Sequence, residues 1–224
     1  MVFPGSQADR LYALGQQNHQ AGQLAAAEQQ YRDVLMIAPA HVSSLYFLGV
    51  IGLQTGRNEL AVEMIGKAVA LHGQDPDWHY NLGLACERLG HSADATACYQ
   101  RVITIKPGHL NARNHLGIMA MLAGEATEAM TLFQRALAID PNHVPTLMSL
   151  GNLHASTGDL AKAAGIFEAI IKNRPNPVAF ENLALTFLTW RLPERAVTVL
   201  QQGFRHGETQ KMRELFVLSN QAKL

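Results

Sequence analysis

Residues 76–109 read PDWHYNLGLACERLGHSADATACYQRVITIKPGH, and the rest of the chain echoes them. Leu82-Gly83, Gly90, Ala95, Tyr99, Val102 and Pro107 return as Leu116-Gly117, Gly124, Ala129, Phe133, Ala136 and Pro141. They return again as Leu150-Gly151, Gly158, Ala163, Phe167, Ile170 and Pro175. Unit starts fall at Ala8, Val42, Pro76, Leu110, Val144 and Pro177, four spacings of 34 residues and one of 33. A fixed period of this length constrains the fold more than any single motif. Each unit is too small to bury its own apolar side and must lean on its neighbours.

Counted from each start, the seventh residue is Leu14, Leu48, Leu82, Leu116, Leu150 and Leu183, and the eighth is glycine except for Ala184. The twentieth is always alanine: Ala27, Ala61, Ala95, Ala129, Ala163 and Ala196. The twenty-fourth is large: Tyr31, Ile65, Tyr99, Phe133, Phe167 and Leu200. Small residues at eight and twenty let two helices approach, and the large one fills the adjoining space. Gly22, Gly56, Gly90, Gly124 and Gly158 stand where a first helix ends and a left-handed residue is needed. Pro39, Pro107, Pro141 and Pro175 close the second helix, which proline cannot continue. Each unit therefore reads as helix A, short turn, helix B, longer turn, with helical apolar stripes such as Leu132, Phe133, Ala136, Leu137 and Ile139.

These residues resemble the tetratricopeptide-repeat family: a 34-residue period, Leu-Gly in helix A, alanine and then an aromatic in helix B, and a closing proline. The resemblance covers residues 8 to about 207 in six phased copies. It implies an all-α fold, a right-handed α-solenoid of about six helix-turn-helix units with a C-terminal capping helix. The expected units are 8–41, 42–75, 76–109, 110–143, 144–176 and 177–207, after a disordered stretch 1–7. Residues 208–224 supply the capping helix, with Met212, Leu215, Phe216 and Leu218 covering the last repeat. Gly73 replaces the proline of repeat two, and Trp78 lies one residue before the family's tryptophan. Repeat six departs furthest, with Ala184, Arg191 and Gly203 at unusual places and Pro193 near the start of its helix B.

Composition narrows the function classes. Lys+Arg and Asp+Glu balance at 18 each, so no basic excess points to nucleic acid. The start MVFPGSQADR has no apolar signal region, and no run approaches the roughly 20 apolar residues of a membrane span. The expectation is a soluble, cytoplasmic protein with reduced thiols, no membrane insertion and no nucleic-acid partner. No HExxH, GxSxG, P-loop or dinucleotide-binding glycine pattern occurs, so no enzyme activity, cofactor or metal is expected. His41, His109 and His143 each end a unit, which favours turn and N-cap roles over metal binding. Cys86 and Cys98 read as buried, inert thiols.

The candidate site is a surface. In the resembled family helix A lines the concave face. The second, fifth, sixth, ninth, twelfth and thirteenth residues of a unit then face inward. Tyr46, Phe47, Val50, Tyr80, Asn81 and Leu84 come from repeats two and three. Asn114, His115 and Ile118 come from repeat four, Met148 and Asn152 from repeat five, and Asn182 from repeat six, where Glu181 also counts as inward. The aromatic and aliphatic members suit apolar anchors, and the amides suit a peptide backbone. The competing reading packs some of them against the next helix A. Relatives that grip carboxylate tails use lysine and arginine on helix A. Here those places hold Tyr12, Gln16, Phe47, Asp77 and Asn81, so the expected partner is an apolar or aromatic protein segment.

The primary expectation is a non-catalytic protein-interaction scaffold. One rival is suggested by resemblance to bacterial arrays that precede glycosyltransferase, sulfotransferase or methyltransferase domains. It makes the chain a substrate-recruiting module with its chemistry beyond Leu224. The other rival is a self-assembling homo-oligomer built from the apolar faces.

Overall fold

The repeated small and large positions become the interior. In the computed structural model, which describes residues 6–222, the six alanines at position twenty are all fully buried. So are all six large residues at position twenty-four. The elements are α1 (Gln7–Gln20), α2 (Leu24–Ile37), α3 (Val42–Gln54), α4 (Asn58–Leu71), α5 (Pro76–Arg88), α6 (Ser92–Ile105) and α7 (Leu110–Leu122). There follow α8 (Ala126–Ile139), α9 (Val144–Ser156), α10 (Leu160–Asn173), α11 (Pro177–Thr189), α12 (Pro193–Gly203) and α13 (Gln210–Gln221), with a 3-10 turn at Phe204–His206. Among the described residues the protein is all-α, without a strand. It divides into two compact units, one ending at Ala112 and one starting at Arg113, within α7.

In the first unit each helix packs on its sequence neighbours, α1 on α2 through α5 on α6, and α3 also touches α5. In the second unit the same order runs from α8 to α13, and α13 lies on both α11 and α12. The reason for glycine at position eight is now visible. A Cβ on Gly15 would sit 2.7 Å from Tyr31 Cε1, and one on Gly83 2.7 Å from Tyr99 Cε1. The position-24 side chain lies against the position-eight glycine, so any side chain there displaces it.

Helix boundaries follow capping chemistry. At the A-to-B turns the chain closes in Schellman form: Gln23 N–H donates to Asn18 O (2.9 Å) and Gly22 N–H to His19 O (3.0 Å), with Gly22 at φ 74°. Helix A of the next unit starts on a last-position acceptor. His41 Nδ1 accepts from Ser44 N–H at 3.2 Å, His109 Nδ1 from Ala112 N–H at 3.0 Å, and Asp75 from Asp77 N–H at 2.9 Å. Pro193 stands in the first turn of α12, where a missing N–H costs nothing.

Some expectations need correction. Residues 1–5 of the stretch expected to be disordered lie outside the described residues. By contrast, Ser6 caps α1 and Gln7 begins it: Ser6 N–H donates to Asp9 Oδ2 (2.8 Å) and Asp9 N–H to Ser6 Oγ (3.2 Å). That reciprocal capping box orders the helix start. The capping helix begins at Gln210, two residues later than expected, because Thr209 caps it by accepting from Met212 N–H at 3.1 Å. Residues 223–224 lie outside the described residues.

Candidate functional site

In the first unit, the helix-A residues that the core does not consume form an aromatic surface. Tyr46 is half-buried, with Trp78 stacked on it at 4.9 Å and 18° and Phe47 edge-on at 5.2 Å. Asn81 Nδ2 donates to Tyr46 Oη at 2.7 Å, tying repeat three to repeat two. Burial lifts the Tyr46 and Tyr80 phenols above their ordinary values, so both stay neutral at physiological pH. Tyr80 is half-buried against Tyr99 (5.8 Å) and His109 (5.0 Å). Leu84 packs against the cluster of Leu53, Ala61, Ile65 and Ala85, and Phe47 against that of Ala27, Tyr31, Leu48 and Ile51. Both residues are therefore part core and part surface.

Beside this surface lies a cleft of about 290 Å³ between repeats one and two. Its walls are Gln16, His19 and Gln20 of α1 and Phe47, Val50 and Gln54 of α3, and Tyr31 of α2 reaches it from below. Phe47 stacks on Tyr31 at 5.8 Å and 19°, and His19 Nε2 pairs with Gln54 Oε1 at 2.9 Å. Among the described residues no lysine, arginine or carboxylate lines the cleft.

The second unit carries a different helix-A face. Asn182 Nδ2 donates to the Oδ1 of exposed Asn152 at 2.9 Å, pairing repeats six and five. Met148 is half-buried on the core around Phe167 and Phe180, and Ile118 on that around Ala129 and Phe133. His115 is half-buried. Asn114 is only 5% exposed, so the amide expected to line an open face offers little surface there. Glu181, counted as inward, is instead buried beneath α13, where it accepts from the Thr209 hydroxyl and faces Lys211 Nζ at 3.7 Å. The amides of the expected row are thus partly spent on Tyr46 and on each other.

Three contributors escaped the sequence reading. Trp78 sits at the third position, outside the set expected to face inward, yet it covers Tyr46. Its displacement from the family's tryptophan place was the available signal. His19 and Gln20 sit at positions twelve and thirteen of repeat one, so the same periodic rule reaches them once it is applied to the first unit of the array.

Other chemistry is quiet. Among the described residues no group of three His, Cys, Asp or Glu comes together to hold a metal. The Cys86 and Cys98 thiols neighbour each other on α5 and α6, and burial raises both, Cys98 to about 12. They remain protonated and poorly nucleophilic. Among the described residues no helix is long and apolar enough to cross a membrane.

Comparison with known proteins agrees with this architecture. Family profiles described as tetratricopeptide repeat match residues 7–76, 53–109, 87–144 and 120–184. Human tetratricopeptide repeat protein 7B is 30% identical over 105 residues, which is 47% of this chain but 12% of that protein's length. The chain therefore spans a small part of that relative. Among solved structures, a tetratricopeptide repeat protein from Parabacteroides merdae superposes with a TM-score of 0.87 at 19% identity, covering 98% of this chain and 88% of its own. PilW, a type IV pilus biogenesis factor, superposes at 0.80 with 16% identity, covering 95% and 99%. These likenesses are of fold. With profile matches over most of its length, and with the helix pairs, position-eight glycines and buried position-24 rings on which such matches rest, the chain belongs to the tetratricopeptide repeat family.

Proposed function

We propose that this protein is a non-catalytic scaffold that holds an uncharged segment of a partner protein against its helix-A faces. The observation that carries the reading is the contrast in burial between two sets of residues on the same helices. Positions devoted to packing are sealed from solvent, whereas Tyr46, Phe47, Val50, Trp78 and Tyr80 stay half-exposed side by side in the first unit. Large aromatic groups held at a surface with their rotamers already fixed are the residues that dominate protein association. Among the described residues the cleft lining at Phe47 and Val50 holds no lysine or arginine, which argues for apolar and aromatic anchors there over an acidic tail. The amide pair Asn152–Asn182 supports the same use of the second unit, since each carboxamide keeps hydrogen-bonding capacity beyond the bond between them.

The test is site-directed photo-crosslinking in the cell of origin. A benzophenone amino acid at Val50 or at Asn152 is expected to trap a protein partner, while the same group at exposed Lys67 on helix B traps none. Crosslinks from Lys67 with none from Val50 and Asn152 would place the working surface on the opposite side of the helix pairs. Tyr46→Ala with Tyr80→Ala is a weaker probe. Tyr46 holds Asn81 and Trp78 in place, so its truncation lowers stability as well as binding.

A further inference from the structure

Two adjoining junctions of the first unit treat equivalent positions differently. Between repeats two and three they are bridged: Arg88 of α5 donates to Leu53 O of α3 at 2.8 Å, and Asn81 Nδ2 donates to Tyr46 Oη at 2.7 Å. Between repeats one and two the cleft of about 290 Å³ stays open. Half-buried Phe47 and Val50 give it an apolar side, and Gln16, His19, Gln20 and Gln54 give it a polar rim. Gln20 and Gln54 are exposed and Gln16 and His19 half-buried, so the rim is open to an arriving group. The rim also has capacity in both directions. Gln16 Nε2 donates to Tyr12 Oη at 2.9 Å, which leaves its carbonyl oxygen as an acceptor. Gln54 Oε1 pairs with His19 Nε2 at 2.9 Å, which leaves its N–H groups as donors.

We propose that this cleft is a subsite for one tyrosine side chain of the bound partner, its ring on Phe47 and Val50 and its hydroxyl among the carboxamides of the rim. The proposal rests on the scaffold reading above and deepens it by naming the residue taken at one place. A charged side chain fits poorly, because among the described residues no lysine, arginine or carboxylate lines the cleft and an unpaired charge taken out of water is expensive. An aliphatic or phenyl group covers the rim amides without pairing them, and each polar group so covered costs free energy. An indole N–H only donates, so it serves Gln16 and not Gln54. A phenol hydroxyl donates and accepts, so it serves both. Its ring also gains offset or edge-on contact with Phe47. The chain makes the same kind of bond twice within itself, where the carboxamides of Gln16 and Asn81 donate to the hydroxyls of Tyr12 and Tyr46.

The N-acetyl amides of tyrosine, phenylalanine, tryptophan and leucine separate these alternatives. Each is titrated at millimolar concentration into the full chain, with resonances of Val50, Gln54 and His19 followed by NMR. The tyrosine amide is expected to bind roughly 3–10-fold more tightly than the phenylalanine amide, the worth of one neutral hydrogen bond, and more tightly than the other two. Gln16→Met and Gln54→Met, made singly, keep the length of the side chain and remove its carboxamide. Each is expected to erode the preference for tyrosine over phenylalanine and to leave the phenylalanine amide bound as before. Gln54 is exposed, so its replacement leaves the fold intact. A phenylalanine, tryptophan or leucine amide binding as tightly as the tyrosine amide, or the full preference retained in Gln54→Met, overturns the subsite. A tyrosine preference in the cleft, with no protein crosslinked from Val50 or Asn152, keeps the subsite and removes the scaffold reading. Crosslinks without the preference do the reverse.

Discussion

Repeats one to five and repeat six build the same helix pair from different residues. In the first five, glycine at position eight lies beneath a position-24 side chain, and glycine ends helix A with φ between 74° and 87°. In the sixth, Ala184 stands at position eight and the narrower Leu200 at position twenty-four, and both are fully buried. Arg191 takes the left-handed turn at φ 59° and makes the same two bonds, Arg191 N–H to Leu188 O (3.0 Å) and Leu192 N–H to Phe187 O (2.8 Å). Gly203 appears on helix B where no other unit has glycine at that place, because Met212 of α13 and Phe180 press against it. The family's marks are therefore paired steric demands. Where both members of a pair change together, the geometry survives.

The largest expected effects test the packed pair. Ala95→Leu forces α5 and α6 apart, and Gly83→Ala drives a methyl into the Tyr99 ring. Each should destabilise by about 1–3 kcal/mol in chemical denaturation. The reverse exchange in repeat six, Ala184→Gly, should cost only about 1 kcal/mol, the helix propensity of glycine. Equal losses from Gly83→Ala and Ala184→Gly would show that position eight is not a steric pair. Glu181→Ala comes next, at about 1–2 kcal/mol, because it strips the partner from Thr209 and Lys211 where α13 replaces a following repeat.

A smaller effect distinguishes the first repeats by pH. Arg57 donates to both oxygens of Glu28, at 2.9 and 2.5 Å, and with Arg32 holds that carboxyl down at about 2, against 4.5 for a free one. The folded pKa is depressed, so the pair's stabilisation is complete above about pH 4.5 and is lost as pH falls toward 2. With Arg57 half-exposed it is worth about 1 kcal/mol. Arg57→Ala should lower stability by that amount at pH 7 and by little at pH 2.5, read from paired urea titrations. Smallest of all, Arg191→Gly should stabilise by about 0.5 kcal/mol, because relief of the left-handed strain exceeds the added freedom of the unfolded chain. Gly90→Ala in repeat three should instead cost about 1 kcal/mol.

Most of the fold was legible in the sequence because backbone sterics repeat with the residues that meet them. A glycine under a ring, an alanine between helices and a turn residue beyond helix A are local requirements, and each recurs every 34 residues in a readable place. His41 and His109 as caps follow from the same locality. The candidate face was less legible. Periodicity puts Tyr46 and Phe47 at inward positions of helix A, but that Trp78 would cover Tyr46 depends on how repeat three lies on repeat two. Asn114 and Glu181 occupy inward-looking places and are buried all the same.

By itself, then, the sequence determined the repeat length, the helix pairs, their caps and the identity of the sealed interior, since each depends on contacts within one unit or between adjacent ones. Tertiary structure alone decided which inward residues stay open. It spent Asn81 on Tyr46 and Asn182 on Asn152, hid Glu181 under α13, and bridged α3 to α5 with Arg88 while the cleft between α1 and α3 stayed open. Those outcomes turn on side chains from different helices competing for the same hydrogen bonds, which no spacing along one chain records.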